Sequence, residues 1–445
     1  MNHKISFTLL GATAGVAMTL LAIQPHMISV NTSANAAVED TYRELNLFGA
    51  VFERVRDDYV DKPDDNKLIE PAITGMLAGL DPHSSYMDPK SFKDMQEETS
   101  GEFGGLGIEV TMEGGLVKVV TPIDETPAAK AGILANDIII KVDDVPLQGM
   151  VLDQAVEKLR GPANSKVRLI IMRKGQDKPI ETSLTREVIQ VRSVRSNLEG
   201  DDIGYIRVSQ FNERTSDRLI KAIADITRKV SDGNLKGYIL DLRNNPGGLL
   251  DEAISVSSAF LQRGEIVSTR GRNPEDTQHF TAKGGDLTKG KPLIVLINGG
   301  SASASEIVAG ALQNHRRATI IGTRSFGKGS VQTIIPLGTV RGALRLTTAR
   351  YYTPSGRSIQ AKGIEPDIEV LQDVPEDMTD SSSIGEASLR GHLKGDAGKE
   401  QTGSQSYVPP DKSKDKALLM AEGLLRGTEL SSAFPPKVRG LSDQN

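Results

Sequence analysis

The chain has 445 residues, of which 38% are hydrophobic and 25% charged, a balance typical of globular proteins with two or three domains. Its formal net charge of −5 argues against nucleic acid as the main partner. The sequence contains no cysteine, which excludes disulfides, thiolate catalysis and cysteine-based zinc sites.

The first 36 residues have the pattern of a secretory signal peptide. A short basic start, "MNHK", precedes an apolar run over residues 5–23, and the chain then turns polar and reaches Ala34-Asn35-Ala36, an A-x-A cleavage site. The apolar run is close to the roughly 20 residues that span a bilayer, so an uncleaved membrane anchor is the alternative. Either interpretation predicts an exported protein.

Residues 37–98 are predicted to be helical. Apolar residues recur at helical spacing in two runs, over residues 41–61 and 68–80, and a polar turn, "GLDPHSSYMD", follows them.

Residues 99–190 change to short runs rich in β-branched residues, such as "LVKVVTP" and "KVRLIIMR", with one helix predicted over 151–160. The glycines of Gly105-Leu106-Gly107-Ile108 allow backbone N–H groups to converge on one carboxylate. On the helix, Ala155, Val156 and Leu159 are candidates for lining a peptide groove, although an apolar helix face more often packs in a core.

Strands and helices alternate over residues 191–372, which predicts an α/β layer fold with its site at the carboxyl ends of the strands. Residues 373–445 are rich in Ser, Gly, Asp and Lys, and this composition predicts a disordered tail with one short docking helix over 415–426.

The segment "GGSASASEIVAGAL" places three serines at the start of a predicted helix. Ser303 and Glu306 form the S-x-x-E pattern of a capping box, so Ser303 is either a helix cap or a nucleophile beside the free N–H groups of the helix start. A nucleophilic serine needs a base, and none of the histidines that follow the signal segment is marked out by its local sequence.

The alternative base is Lys328, which stands between two glycines in "GTRSFGKGSVQ". Burial would lower the pKa of such a lysine and yield a neutral amine, and in an extended segment Gln332 would face the same side and orient it. The same segment matches G-x-x-x-x-G-K of phosphate-binding loops, but Gly329 replaces the Ser or Thr of that motif and a strand follows it. Candidate oxyanion donors are the N–H of Ala304 and that of Gly247 or Gly248 in "NNPGG".

Together these features resemble the carboxyl-terminal processing, or tail-specific, proteases, an S41-type serine peptidase family. The resemblance covers about residues 40–370 and rests on "GLDPHSSYMD", "TPAAKAGILANDIIIKVD", "LRGP", "LDLRNNPGG", "SASASE" and "FGKGSVQ", which occur in the family's order. One departure is Asn136, where the PDZ pattern usually has glycine. Asparagine tolerates a positive φ better than other residues with a side chain, so the turn is expected to survive.

The resemblance implies a crotonase-like α/β protease core over residues 191–372, an inserted PDZ domain over 99–190 and the helical segment over 37–98. It implies Ser303 as nucleophile, Lys328 as base, Gln332 as the residue that orients it, and Gly105–Ile108 as the carboxylate loop. The expected activity is ATP-independent cleavage near protein C-termini, without metal or cofactor. A catalytically inactive PDZ scaffold or holdase is the alternative.

The expected partners are protein or peptide substrates with free C-termini and no nucleic acid. An adaptor lipoprotein, and a homo-oligomer formed through the N-terminal helices or the tail, are further partners that the resemblance allows. With the signal segment, it suggests a bacterial periplasm or cell envelope, with membrane anchoring if the segment is not cleaved.

Overall fold

The computed structural model describes residues 40–176, 178–230, 233–338, 341–376, 384–396 and 398–436, so the signal peptide predicted over 1–36 lies outside the described residues. The chain divides into two compact units, with the boundary between Gly75 and Met76. The first contains helix α1 over residues 40–58 and most of α2, Asp65–Ala78. Within the described part of the chain, no helix is long and apolar enough to cross a membrane.

A small antiparallel sheet forms the β-rich domain, with strand order β3-β4-β5-β7-β8 and with β6 paired to β5. Its strands alternate inward and outward side chains, and Val117, Val119, Ile139, Leu169 and Ile171 fill its core. The strands are β3 Ile108–Glu113, β4 Leu116–Pro122, β5 Ile138–Val142, β6 Val145–Pro146, β7 Lys166–Met172 and β8 Ile180–Thr185, and the helices are α4 Pro127–Lys130 and α5 Leu152–Leu159.

Before this domain the chain forms β1, Ser85–Met87, and α3, Pro89–Ser100. A two-stranded ribbon then joins the domain to the rest of the chain, because β2, Glu102–Gly105, pairs antiparallel with β9, Glu187–Gln190. The chain therefore enters and leaves the β-rich domain at one place.

The α/β core is a six-stranded sheet of order β10-β11-β12-β15-β16-β19, parallel except where β10 meets β11. All five residues of β12 and of β15 are buried, as expected for strands covered on both faces. The strands are β10 Val194–Glu199, β11 Ile203–Val208, β12 Gly237–Asp241, β15 Leu293–Ile297, β16 Thr319–Gly322 and β19 Ile368–Glu369.

Helices α6, α7 and α8 cover one face of this sheet and contribute Leu219, Val256 and Val308 to its largest apolar cluster. Their bounds are α6 Thr215–Lys229, α7 Leu250–Ser258 and α8 Ala304–Asn314. The predicted alternation of strands and helices is therefore present in the structure.

A second sheet has the order β1-β18-β13-β14, with β17 also paired to β18. Its strands come from distant parts of the chain: β1, β13 Glu265–Arg270, β14 Gln278–Thr281, β17 Ser330–Pro336 and β18 Ala343–Tyr352. This sheet brings the polar turn that precedes β1 against β18, where Thr347 N–H donates to the Ser84 hydroxyl at 3.1 Å.

The C-terminal segment differs from the predicted disorder. The docking helix expected over 415–426 is present as α9, Lys416–Arg426, and its residues Leu418, Ala421 and Leu424 pack on the second face of the parallel sheet. Residues 384–396 and 398–406 also contact the core, for example through the Gly299 N–H, which donates to the Gln405 carbonyl at 2.9 Å. The small, polar composition hid this packing because hydrogen bonds that involve main-chain groups, rather than apolar side chains, make many of these contacts.

Candidate active site

Ser303 caps helix α8 in an unusual backbone conformation, with φ 53° and ψ −112°. Ordinary N-cap residues adopt extended φ and ψ, and a positive φ in a residue with a side chain marks a constraint imposed by the surroundings. Three main-chain bonds hold it: its N–H donates to Glu306 Oε2 at 2.7 Å, and its carbonyl accepts from the N–H groups of Glu306 and Ile307.

The two neighbouring serines are fully buried, and each hydroxyl has a main-chain acceptor. Ser301 Oγ donates to the Leu242 carbonyl at 2.8 Å, and Ser305 Oγ donates to the Asn245 carbonyl at 3.0 Å. Ser303 is the half-buried member of the three, so it is the one whose hydroxyl a substrate could reach.

Glu306 does more than complete a capping box. Its fully buried carboxylate accepts four hydrogen bonds, which come from the N–H groups of Ser303 at 2.7 Å, Gly327 at 2.7 Å and Lys328 at 2.9 Å and from the Ser325 hydroxyl at 2.5 Å. Burial raises the pKa of Glu306 to about 7, against the opposing effect of these four donors. One carboxylate therefore holds the serine and the lysine segment together.

Lys328 has the environment of a lysine that can be neutral. Burial lowers the pKa of its amine below the usual value, and the charge of Arg345 acts in the same direction. The carboxylates of Glu386, Glu306 and Asp81 oppose this by favouring the ammonium form. The side chain is half-buried, so the burial predicted for the glycine-flanked lysine is present in part.

Gln332 lies on β17, after a register shift between Val331 and Gln332 in the pairing with β18. Its side-chain amide donates to Ser330 Oγ at 3.0 Å and to Thr347 Oγ1 at 3.2 Å. The prediction that Gln332 faces the same side as Lys328 required an extended segment between them, but β17 begins only at Ser330 and its pairing shifts register before Gln332.

The "NNPGG" turn packs against the start of α8. A Cβ added to Gly247 would lie 2.8 Å from Ser303 Cβ and 3.0 Å from the Ala304 nitrogen, and Gly247 has φ 105°. Its N–H, however, donates to Asn245 Oδ1 at 2.9 Å. In this conformation Gly247 is not a free oxyanion donor, which leaves Ala304 and Gly248 as the candidates.

Each of the four histidines in the described residues has a partner. His279, His315 and His392 bond to Glu265 Oε2, the Glu265 carbonyl and Glu400 respectively, whereas His83 Nε2 lies 2.9 Å from Glu386 Oε2. Of these four histidines, His83 is the one that hydrogen-bonds to Glu386, whose charge also acts on the Lys328 amine. The sequence assigned Glu386 to the tail and so missed it.

The structure corrects part of the predicted peptide-binding set. The side chains of Leu106, Ala155 and Leu159 belong to the core of the β-rich domain, whereas Val156 is half-buried. Val156 lines a cleft of about 770 Å³ that lies between α3 and α5.

The loop of Gly105, Leu106, Gly107 and Ile108 connects β2 to β3. Gly107 has φ 72°, and a Cβ there would lie 2.3 Å from Thr126, so the position requires glycine. The main chain of this loop, rather than the core side chains, remains the candidate for ligand contact.

Comparison with known proteins gives a consistent result. The model of peptidase family S41 matches residues 202–370, that of the PDZ domain residues 118–173, and that of the N-terminal domain of the activating protease CtpB residues 9–91. Ser303 and Lys328 lie in the first of these matches, and α5 lies in the second.

Two relatives are similar over most of the chain. The carboxy-terminal-processing protease of Bartonella bacilliformis is 57% identical over 438 residues, 98% of this chain and 99% of the relative. The carboxy-terminal processing protease CtpA of Bacillus subtilis is 37% identical over 82% of this chain and 77% of the relative. Among solved structures, the photosystem II D1 C-terminal processing protease is 31% identical with a TM-score of 0.42, covering 73% of this chain and 92% of that one.

Proposed function

Because this chain belongs to peptidase family S41 and to its carboxy-terminal processing proteases, serine peptidases with a PDZ domain, we propose that Ser303 is its nucleophile and Lys328 its general base. The observation that carries this proposal is the shared carboxylate: Glu306 Oε2 accepts from the N–H groups of both Ser303 and Lys328. The two residues, 25 positions apart in the sequence, are thereby held side by side.

In the proposed reaction the neutral Lys328 amine takes the proton of the Ser303 hydroxyl as its oxygen attacks the scissile carbonyl carbon. The N–H of Ala304, in the first turn of α8, and that of Gly248 stabilise the oxyanion. Lys328 returns the proton to the leaving amine and then activates water, which releases the acyl group from Ser303. Gln332 orients the amine.

The PDZ domain is proposed to bind the free C-terminus of a substrate at the loop of Gly105, Leu106, Gly107 and Ile108. The adjacent part of the substrate would then reach Ser303. We propose further that the protease core has a crotonase-like fold and that cleavage needs no ATP. The protein is proposed to be exported to a bacterial periplasm or cell envelope. The signal pattern of residues 1–36 supports the export.

The test is the incubation of an unfolded, C-terminally tagged polypeptide with the protein in the absence of ATP, read by mass spectrometry. Ser303→Ala should abolish cleavage and retain peptide binding. Ser301→Ala and Ser305→Ala are the matched controls: each should retain activity, with a stability loss of about 1 kcal/mol for the missing hydrogen bond.

Peptide binding without any turnover by the native chain would favour the inactive scaffold or holdase. Cleavage that depends on ATP would instead favour the nucleotide-binding interpretation of residues 322–328.

A further inference from the structure

Glu386 is a fully buried carboxylate beside the lysine segment, in a part of the chain outside the motifs that predicted the site. Its N–H donates to the Phe326 carbonyl at 3.0 Å, two residues before Lys328. Its Oε1 accepts from Gln360 Nε2 at 2.8 Å, and His83 Nε2 lies 2.9 Å from Oε2. Burying a carboxylate costs free energy that its hydrogen-bond partners must offset.

The contact between Glu386 and Gln360 fixes the backbone next to Lys328. Gln360 is fully buried, and its Oε1 accepts from the Gly329 N–H at 3.0 Å while its Nε2 donates to Glu386. An ionised carboxylate only accepts hydrogen bonds, so Glu386, together with the Leu393 carbonyl, which accepts from the same Nε2 at 2.9 Å, selects the amide orientation that presents oxygen to Gly329. Loss of the Glu386 acceptor would leave only the Leu393 carbonyl to hold this orientation and would weaken the support of the Gly329 N–H.

The contact between Glu386 and His83 connects Glu386 to Gln332. His83 belongs to the turn before β1, where Asp81 Oδ1 accepts from the His83 N–H at 2.8 Å and from the Thr347 hydroxyl at 3.1 Å. Thr347 in turn accepts from Gln332 Nε2 at 3.2 Å. Glu386 therefore connects to the proposed catalytic set on both sides of Lys328.

The charge of Glu386 also acts on the amine. Burial lowers the pKa of Lys328, Arg345 lowers it further, and Glu386, Glu306 and Asp81 raise it, with Glu386 the strongest of the three carboxylates. The imidazole of His83 lies 2.9 Å from Glu386 Oε2, and Glu386 also acts at longer range on His392, whose pKa is raised mainly by its hydrogen bond to Glu400. Removing the Glu386 charge alone should therefore shift the amine toward its neutral form at lower pH.

We propose that Glu386 is a positioning residue of the active site, which holds Gln360 and His83 around the lysine segment so that the C-terminal segment completes the site. The inference rests on the proposed function, because it requires Lys328 to act as the base. It assigns residues 384–396 and 398–406 a role in positioning the active site, in addition to their packing on the core.

The experiment measures kcat/KM of the full chain on one unfolded polypeptide with a free C-terminus, across pH 5–10. Glu386→Gln keeps the size of the side chain and removes its charge. The acidic limb of its pH profile should move to lower pH by about 0.5–1 unit. The plateau should fall by about tenfold, because the amide keeps only one acceptor oxygen for the two partners, Gln360 and His83. Glu386→Asp retains the charge but shortens the side chain. The acidic limb of its pH profile should therefore stay at the native pH, while the plateau of kcat/KM falls.

The matched control is Glu400→Gln. Glu400 lies in the same segment but pairs with His392, so its profile should equal that of the native chain. A Glu386→Gln profile that superimposes on the native one overturns the proposal, and so does a uniform loss with no pH shift in Glu386→Gln.

If Glu386→Gln does not fold, Gln360→Met is the variant to be measured. It leaves the charge of Glu386 in place, so its plateau must fall while its acidic limb stays; native activity in this variant overturns the proposal. Turnover by Lys328→Ala would instead refute the Ser/Lys mechanism itself, which keeps the two failures distinguishable.

Discussion

At the scale of single residues, the first prediction concerns Lys328, the proposed base. A lysine acts as a base only as the free amine, and burial has lowered its pKa. The rate should therefore rise with pH through that lowered pKa and level above it. Lys328→Ala and Lys328→Arg should each lose about 10²–10⁴-fold in kcat, the second because a guanidinium stays protonated.

The measurement is the rate of each variant on one unfolded substrate over a pH series. Replacement of His279, His315 and His392 one at a time should leave turnover substantial, since each bonds to a partner other than the lysine segment. Loss of activity in one of these together with an active Lys328→Ala would require a Ser/His mechanism instead.

Glu306 gives the second prediction at this scale. Its pKa of about 7 exceeds the ordinary 4.5, so the native state retains a proton that the unfolded chain releases between these values. The resulting stability is present below about pH 4.5 and is lost as the pH rises through about 7.

Glu306→Gln should remove this pH dependence and cost about 1–3 kcal/mol near pH 5, because the amide presents a second donor to groups that also donate. The difference from the native chain should narrow above pH 7, while turnover at pH 8 falls. Urea unfolding at pH 5 and pH 8 measures the first effect, and a constant difference at both values would contradict it.

At the scale of elements, the start of helix α9 is fixed by Asp415. Its Oδ1 accepts from the Leu418 N–H at 3.1 Å as a helix cap, and Arg243, which follows β12, donates to the same oxygen at 2.8 Å. Asp415→Ala should therefore destabilise the protein by about 2–4 kcal/mol in denaturant unfolding. Asp415→Asn keeps the cap and removes the charge, so it should cost less; equal losses would show that the cap contributes little.

The turn before β5 provides a second test of an element. Asn136 is exposed and has φ 70°. This positive φ agrees with the prediction that asparagine takes the place of a glycine in the turn. Asn136→Val should cost about 1–2 kcal/mol, since a β-branched residue is strained at positive φ, whereas Asn136→Gly should be neutral or slightly stabilising. Thermal unfolding of the two variants measures the difference, and similar values for both would contradict a backbone origin.

At the scale of the whole molecule, the carboxylate loop and Ser303 belong to different parts of the chain, in the β-rich domain and the α/β core. If the PDZ domain captures a free C-terminus, amidation of the substrate should lower kcat/KM by about 10–100-fold, the value of a lost charge-assisted interaction. Gly107→Ala, which would place a Cβ 2.3 Å from Thr126, should distort the loop and make both substrates equally poor. Equal cleavage of amidated and free substrates by the native chain would remove the carboxylate-capture role.

The sequence by itself determined the elements and the candidate chemistry. Helical and strand periodicities predicted α5, α6 and the alternation of the core. The local patterns made Ser303 and Lys328 candidates for nucleophile and base, and the family resemblance favoured both roles. These features depend on residues close together in the chain, where side-chain spacing and turn chemistry act directly.

Only the tertiary structure decided how the site is held together. Glu386 meets His83 across 303 positions, and Gly247 turns its N–H to Asn245 rather than toward a substrate. The periodicity of a segment carries no information about which distant polar group will satisfy a buried carboxylate, because hydrogen bonds form between whatever groups folding brings together. The packing of residues 384–396 and 398–406 was hidden for the same reason, since hydrogen bonds to distant groups of the core make many of their contacts. The docking helix α9 was predicted, but which face it covers, the second face of the parallel sheet, was decided by the folded core.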